Sequence, residues 1–155
     1  IYLLDGMTAE IIADGMHLPP ELLRLIVKHL GADNLCLVSD SMRGAGMPDG
    51  ESYLGRKDEC VPCIIEDGVA KLPDRSAFAG SVATSDRLVR TMVKKAGVSL
   101  CDAVKMITEN PAKLLNADSR KARLQPGFDA DIVLFDDDIN VSFVMARGKI
   151  AKNEL

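Results

Sequence analysis

An α/β fold is predicted by the first part of the chain, and a small β module is predicted by its tail. Short apolar runs at residues 9–13 and 35–38 are typical of buried strands, and the amphipathic stretch between them is typical of a helix. A helical crossover between two such strands indicates a right-handed parallel unit. After residue 130, short apolar runs separated by turn residues predict antiparallel strands that pack beside the α/β part.

The composition is that of one ordinary globular domain with a core of its own. The chain has 155 residues, 47% of them hydrophobic, and a net charge of -4. It has no cluster of lysine and arginine, which argues against nucleic acid or an anionic membrane as a partner. No apolar run reaches the roughly 20 residues that span a bilayer, so we expect a cytoplasmic protein. The sequence opens on Ile1 instead of Met, and we expect it to be part of a longer chain.

The first predicted unit extends from the strand at 9–13 to the strand at 35–38. The opening strand is followed by the stretch Asp14-Gly15-Met16-His17 and then by a double proline. Proline suits the first turn of a helix, because the first N–H groups of a helix have no partner within it. Apolar residues then recur at helical spacing until Gly31, which predicts the end of the helix.

Two polar side chains follow the carboxyl ends of these predicted strands. His17 comes after the first strand and Asp40 after the second. Because adjacent parallel strands end at one edge, we expect both side chains on the same rim, which is where ligands bind in α/β folds. The alternatives are structural: Asp40 can cap a following turn, and His17 can be an ordinary surface residue.

The middle of the chain predicts a loop followed by a hairpin. Residues 44–58 are rich in glycine and polar residues, which indicates a loop. Apolar runs at 60–65 and 69–72 predict a hairpin, because the Asp67-Gly68 pair between them supplies the positive φ of a tight turn. The one Cys-x-x-Cys pair lies in this hairpin without a second pair or two nearby histidines, so we expect reduced thiols and no zinc site.

The second half of the chain predicts helices and then the β module. An amphipathic helix ends at Gly97, and Ser99 with Asp102 resembles a capping box that begins another helix. The Asn110-Pro111 pair ends that helix. The predicted strands of the tail, with turns between them, are 131–135, 141–146 and 149–152.

Several of these segments together resemble one protein family. They cover nearly the whole chain at compatible spacing, and they are Ala13-Asp14-Gly15-Met16-His17, Val38-Ser39-Asp40, Ala79-Gly80-Ser81, Asn110-Pro111-Ala112 and the run from Leu124 to Val133. This set resembles the amidohydrolase superfamily. The tail run indicates only the superfamily, whereas the Ala-Asp-Gly-x-His stretch upstream of Asp40 makes the chain most similar to N-acetylglucosamine-6-phosphate deacetylases.

The resemblance implies a metal-dependent (β/α)8 barrel flanked by a small β-sandwich, of which this chain is the C-terminal portion. Residues 1–118 are then the C-terminal part of the barrel, with a β-hairpin insertion at about 59–72. Residues 119–155 are then a segment of the sandwich. The resemblance also implies a homodimer or a higher homo-oligomer.

A reaction and the residues that carry it are implied as well. The family hydrolyses the acetamide of a small-molecule substrate, an N-acetylated amino-sugar 6-phosphate, and Asp40 resembles the aspartate that acts as general base and acid on a metal-bound water. The substrate-binding residues implied by the matching segments are Asp14, Gly15, Met16, His17, Phe78, Ala79 and Gly80. The resemblance implies a divalent metal, Zn or similar, whose ligands lie mostly outside this chain, because a chain with two histidines and no His-x-His motif cannot supply the site. We therefore expect this segment to be inactive alone.

Other functions stay open at this stage. Ser41, Arg43 and Phe78 depart from the residues common in the family, so an N-acetylgalactosamine-6-phosphate deacetylase is an alternative. A dihydroorotase-like cyclic amidase is an alternative within the superfamily. A non-catalytic interaction domain is an alternative of a different class, in which Asp40 and His17 are vestigial and exposed sheet edges form an interface.

Overall fold

The structure is a computed structural model that describes residues 6–56 and 58–155. The first five residues of the predicted 1–118 segment, and Lys57 in the predicted loop, lie outside these ranges. The described ranges form three small sheets, of which one is parallel and two are antiparallel. Helices pack against the parallel sheet, which agrees with the predicted α/β class.

The predicted strand-helix-strand unit is present. Strand β1 (Ala9–Ile11) leads into helix α1 (Pro20–Leu30), and strand β2 (Leu35–Leu37) returns parallel to β1. The pairing continues one step past the strands, where the N–H of Val38 donates to the carbonyl of Ile11 at 3.0 Å. Helix α1 begins at Pro20 as the double proline predicts, and it ends before Gly31, whose φ of 77° is in the left-handed region.

The second sheet is larger than the sequence predicts. Its strands are β3 (Gly50–Leu54), β4 (Val61–Glu66) and β5 (Val69–Lys71), in antiparallel order β3-β4-β5. The predicted hairpin corresponds to β4 and β5, whereas the prediction of a loop over 44–58 is wrong where β3 forms. The sequence of β3 has no apolar alternation, and it becomes a strand because the edge of β4 pairs with all of it.

Four helical segments follow. They are α2 (Ser85–Arg90), a π-helical turn (Thr91–Lys95), α3 (Leu100–Ile107) and α4 (Glu109–Leu114). The predicted amphipathic helix therefore widens in its second half, where the N–H of Ala96 donates to the carbonyl of Thr91 at 2.9 Å. The predicted cap is present, since Ser99 Oγ accepts the N–H of Asp102 at 3.1 Å. Among the helices of the described ranges, none is long and apolar enough to cross a membrane.

The tail forms the predicted antiparallel module. Its strands are β6 (Ile132–Phe135), β7 (Val141–Ala146) and β8 (Lys149–Asn153), with β7 in the centre. The turn between β7 and β8 has positive φ at both Arg147 (50°) and Gly148 (76°), which matches the right-handed twist of the two strands.

The main core lies between the parallel sheet and helices α1, α2 and α3. Its fully buried large side chains are Leu23, Leu35, Leu88, Met92 and Met106. A second, smaller core lies under the second sheet around Cys63 and Ile65, and it includes Ala70 and Ala79. The first core includes the last residues of β1 and β2, and the second includes Ala79 of the predicted 78–80 segment.

Asn110 connects α4 to the parallel sheet from inside the protein. It is 4% exposed, and its side-chain amide donates to the carbonyls of Ala32 and Leu35 at 2.7 Å each. Asn110→Ala removes both donors, and we expect the free energy of unfolding to fall by about 2–3 kcal/mol in a urea titration. Asn34→Ala is the control, because Asn34 makes one exposed bond to the carbonyl of Leu30, and we expect a change below about 1 kcal/mol. Equal losses in the two variants would contradict this account.

Candidate active site

The rim predicted from the sequence is formed by the carboxyl ends of β1 and β2. Ile11 and Leu37 are paired at these ends, and Asp14 and Asp40 each follow three residues later. The two aspartates therefore stand at equivalent places beyond neighbouring parallel strands. The side chain of His17 belongs to the same loop as Asp14, so the loop brings a carboxylate and an imidazole to this edge.

The loop from Asp14 to His17 is shaped by the Asp14 carboxylate. Its Oδ1 accepts the N–H groups of Met16 and His17, both at 2.9 Å, and its Oδ2 lies 2.9 Å from Nδ1 of His17. This is the local turn that a short acidic side chain favours. Gly15 within it has a φ of 78°, and a Cβ there would lie 3.4 Å from Cγ2 of Thr91, so both the backbone and the space favour glycine.

Asp14 stays ionised although it is buried, with 2% of the residue exposed. Burial opposes the charged form, but the N–H groups of His17 and Met16 and the His17 ring outweigh it, so the pKa of Asp14 lies below its usual value. A carboxylate can only accept, and Nδ1 of His17 therefore carries the proton toward it. In the neutral ring the other nitrogen, Nε2, is then the acceptor that a ligand meets.

Asp14 should make stability depend on acid pH. Because its pKa is lowered by folding, its ionised contacts stabilise the protein above the unfolded pKa, and this contribution is lost as the pH falls below about 4. We expect Asp14→Asn to lower the free energy of unfolding at pH 7, with the difference from wild type shrinking at pH 3. Urea unfolding at both pH values measures this. The exposed Asp49→Asn is the control, and a difference for Asp14→Asn that stays constant with pH would contradict the assignment.

Phe78 contacts the side chain of His17. Its ring centroid lies 5.1 Å from that of His17, with the planes tilted by 58°, and the residue is 44% exposed. Its neighbour Ala79 is buried and donates its N–H to the carbonyl of Ala70 at 2.8 Å, so this N–H serves the second sheet. Gly80 has a φ of 117°, and a Cβ there would lie 3.4 Å from Cγ of Met42. The predicted 78–80 segment therefore lies beside His17.

Asp40 is exposed at the end of β2, with a φ of 46°. The two residues after it are held by a distant segment: Ser41 pairs with Ser81 in a parallel bridge, and the N–H of Met42 donates to the carbonyl of Ser81 at 2.9 Å. The hydroxyl of Ser41 donates to the carbonyl of Ala83. The segment that carries Phe78 thus also fixes the backbone beside Asp40.

Two residues to which the sequence analysis gave no role hold the backbone of this region. Ser81 is fully buried, and its Oγ accepts the N–H of Ala83 at 3.0 Å. Arg87 donates to the main-chain carbonyl of Asp14 from Nε at 3.3 Å and from Nη2 at 3.2 Å. The contacts of Arg87 have no local signal in the sequence, because Arg87 is 73 residues from Asp14 and the apolar pattern of its helix does not indicate them.

Arg43, one of the departures from the residues common in the family, contacts the second sheet. Its guanidinium lies 3.9 Å from the centroid of the Tyr53 ring and donates to the carbonyl of Gly55 at 2.9 Å. Both partners belong to β3 or the turn after it. Arg43 therefore packs the second sheet against the segment that follows Asp40.

A metal site is not completed by the side chains in residues 6–56 and 58–155. No group of three or more histidine, cysteine, aspartate or glutamate side chains there could hold an ion. The Cys-x-x-Cys pair is split across its sheet, with Cys60 exposed and Cys63 buried, and all four cysteines are free thiols. The described residues therefore do not fit a metal centre by themselves.

One large groove lies away from this rim. It is a groove of about 1100 Å³ between helices α2 and α3 and the third sheet. The lining is mainly apolar, with Val89, Ile107, Val133 and Phe135 among its side chains, and it contains none of the predicted site residues. The predicted site residues therefore lie on the rim and not in this groove.

Comparisons with known proteins identify relatives over the whole chain. It is 34% identical over 150 residues to an N-acetylglucosamine-6-phosphate deacetylase of Lysinibacillus sphaericus, covering 97% of this chain and 37% of that protein. It is 32% identical over 142 residues to an N-acetylgalactosamine-6-phosphate deacetylase of Escherichia coli O157:H7, covering 92% of this chain and 36% of that protein. A solved structure of an aspartate-to-alanine mutant of N-acetyl-D-glucosamine-6-phosphate deacetylase from Mycobacterium smegmatis, in complex with N-acetyl-D-glucosamine-6-phosphate, is similar with a TM-score of 0.84. That match has 33% identity and covers 94% of this chain and 38% of the other.

These matches confirm the predicted resemblance and the predicted fold class. The chain spans about 37% of the length of the first of these relatives. Its strands and helices match the C-terminal portion of the deacetylase structures, and the barrel is not completed within it. The model of the amidohydrolase family matches residues 2–151. The chain therefore belongs to the amidohydrolase family.

Proposed function

We propose that the complete protein containing this chain hydrolyses N-acetylglucosamine-6-phosphate to glucosamine-6-phosphate and acetate. The deacetylase of Lysinibacillus sphaericus, at 34% identity, supports this substrate class. The observation that carries the proposal is the rim itself. Asp14 and Asp40 stand at equivalent positions past paired parallel strands, and Phe78 contacts His17 from a third segment.

Asp40 is the proposed proton carrier. Its exposed carboxylate, three residues past β2, can accept a proton from the attacking water and deliver one to the amine that leaves when the amide C–N bond breaks. The positive φ of Asp40 and the bridge from Ser41 to Ser81 hold its backbone at the rim.

The two segments beside Asp40 are the proposed substrate-binding groups. They are Asp14, Gly15, Met16 and His17 on one side, and Phe78, Ala79 and Gly80 on the other. His17 is the side chain proposed to hydrogen-bond the sugar phosphate or its neighbourhood. Nε2 of the neutral ring, which does not face Asp14, would accept the bond from a hydroxyl group of the sugar. Phe78 offers an exposed apolar ring next to it, which suits contact with the sugar.

A divalent metal is proposed for the complete protein, because the amidohydrolase family is generally metal-dependent. Such an ion supplies Lewis-acid activation of the amide carbonyl and of water. The described side chains do not form a ligand set, so the proposed ligands lie mostly outside this chain. We propose that this metal is zinc or a similar divalent cation.

The experiment is a comparison of two sugar phosphates with the complete purified protein. N-acetylgalactosamine-6-phosphate is the second candidate, because the Escherichia coli O157:H7 relative carries that name at 32% identity. We expect acetate release with a higher kcat/KM for N-acetylglucosamine-6-phosphate. A higher kcat/KM for N-acetylgalactosamine-6-phosphate would make that compound the preferred substrate. Absence of acetate release from both sugar phosphates would refute the deacetylase proposal.

The organisation of the complete protein is part of the same proposal. We propose that residues 1–118 belong to the barrel, with the insertion at about 59–72, and that residues 119–155 belong to the sandwich. A homodimer or higher homo-oligomer is the proposed assembly. A cytoplasmic location is proposed as well, because all four cysteines are free thiols in a protein with two of them buried.

A further inference from the structure

Arg87 joins two segments of the chain beneath the rim. Its Nε and Nη2 donate to the carbonyl of Asp14, and its Nη1 donates to the carbonyl of Gly68 at 2.5 Å. Within the described ranges, all three of these side-chain bonds go to main-chain carbonyls. A guanidinium suits this geometry, because its donors form a rigid planar fork and its charge strengthens each bond.

The bond to Asp14 acts on the loop that carries His17. The carbonyl of Asp14 receives two donors of Arg87, while the carboxylate of the same residue receives Met16, His17 and the imidazole. Fixing the peptide after Asp14 therefore also fixes the residue whose carboxylate orients the His17 ring. A displacement of Arg87 would therefore reach the His17 ring through Asp14 alone.

The bond to Gly68 acts on the segment that carries Phe78. Gly68 lies in the turn between β4 and β5, and β5 pairs with this segment: Lys71 bridges Phe78, and the carbonyl of Ala70 accepts the N–H of Ala79. The contact at Gly68 is close, since a Cβ there would lie 2.9 Å from Nη1 of Arg87. One guanidinium thus contacts the supports of both rings that meet at 5.1 Å on the rim.

We propose that Arg87 is a positioning residue for substrate binding, which holds the 14–17 loop and the 78–80 segment at the separation that lets His17 and Phe78 contact one sugar phosphate. This inference rests on the proposed function, because it assigns both segments to the substrate. Arg87 itself lies behind the loop and acts through Asp14 and Gly68. Its loss should therefore weaken binding more than it slows the chemical step at Asp40.

The chain offers a matched control on the same helix. Arg90 also donates to carbonyls of a distant turn, those of Asp138 at 2.9 Å and Ile139 at 2.6 Å. That turn precedes β7 and is not part of the rim. Arg87→Lys and Arg90→Lys therefore remove the same kind of contact, one beneath the proposed site and one away from it.

A second pair of variants disturbs the contact without changing Arg87. Gly68 (φ 72°) and Gly148 (φ 76°) occupy the same position in two similar hairpin turns, each after a residue of positive φ. A Cβ at Gly148 would meet nothing within 4 Å, whereas one at Gly68 would displace the guanidinium. Gly68→Ala and Gly148→Ala thus share the backbone strain and differ in the contact with Arg87.

The experiment measures steady-state kinetics and amide hydrogen exchange on the complete protein with these four substitutions. We expect Arg87→Lys and Gly68→Ala to raise KM for N-acetylglucosamine-6-phosphate by about tenfold or more, with kcat within about threefold of wild type. We expect the control variants to leave KM within about twofold. Peptides covering 14–17 and 78–80 should exchange faster in Arg87→Lys than in Arg90→Lys.

The KM comparison and the hydrogen-exchange comparison test the role of Arg87 separately. Equal KM values in the test and control variants would overturn the positioning role, because a purely structural contact lowers stability without changing binding. If the wild-type protein releases no acetate, the proposed function fails, and the exchange comparison still decides the inference. Faster exchange confined to both segments would then support positioning by Arg87, and unchanged exchange would overturn it.

Discussion

Replacing Asp40 by asparagine in the complete protein is expected to lower kcat by about a thousandfold, with KM for N-acetylglucosamine-6-phosphate within about threefold of wild type. The amide keeps the shape of the side chain but cannot accept the proton of the attacking water. Asparagine also tolerates the φ of 46° at this position, so the backbone of the rim should be preserved. Steady-state kinetics on the purified variant, at saturating metal, measures the effect.

Asp67→Asn is the matched control for that substitution. Asp67 is another exposed aspartate of positive φ, at 54°, but it lies in the turn after β4, where its carboxylate pairs with Lys71. We expect kcat within about twofold of wild type for this variant. Near-normal turnover in Asp40→Asn would remove Asp40 from the mechanism, and a similar loss in both variants would assign the effect to general damage.

The 155-residue chain on its own is expected to release no acetate from N-acetylglucosamine-6-phosphate, even with added Zn²⁺. The sequence has two histidines, and the side chains of the described ranges bring no three potential ligands together. The chain would therefore carry the proposed proton carrier and substrate contacts without a centre to activate water. An acetate assay on chain whose intact mass corresponds to 155 residues measures this.

The complete protein in the same assay is the positive control for that experiment. A chelator added to the complete protein should abolish its activity, and excess Zn²⁺ or a similar cation should restore it. Metal-dependent acetate release by the 155-residue chain would contradict the expectation. It would mean that the chain forms a metal site that the arrangement of residues 6–56 and 58–155 does not show.

Local signals in the sequence were sufficient for most helices and turns. Helix α1 has the predicted bounds, because proline and glycine act on φ and on the N–H groups of their own positions. The turns at Gly68 and Gly148 formed where predicted for the same reason. Strand β3 was not predicted, since its residues become a strand only by pairing with β4.

In the candidate site, too, some features follow from local sequence and others depend on tertiary contacts. The sequence predicts that the stretches carrying His17 and Asp40 reach one edge, because parallel strands joined by a helix end on the same side. The sequence by itself therefore determined the α/β unit, its rim and the two polar stretches that reach it.

Only the tertiary structure decided what surrounds those stretches. The contact of His17 with Phe78, the bridge from Ser41 to Ser81 and the bonds of Arg87 join residues far apart in the chain. The physical reason is that dihedral preferences act on neighbouring residues, whereas contacts across 73 positions depend on how separately formed elements pack around one core.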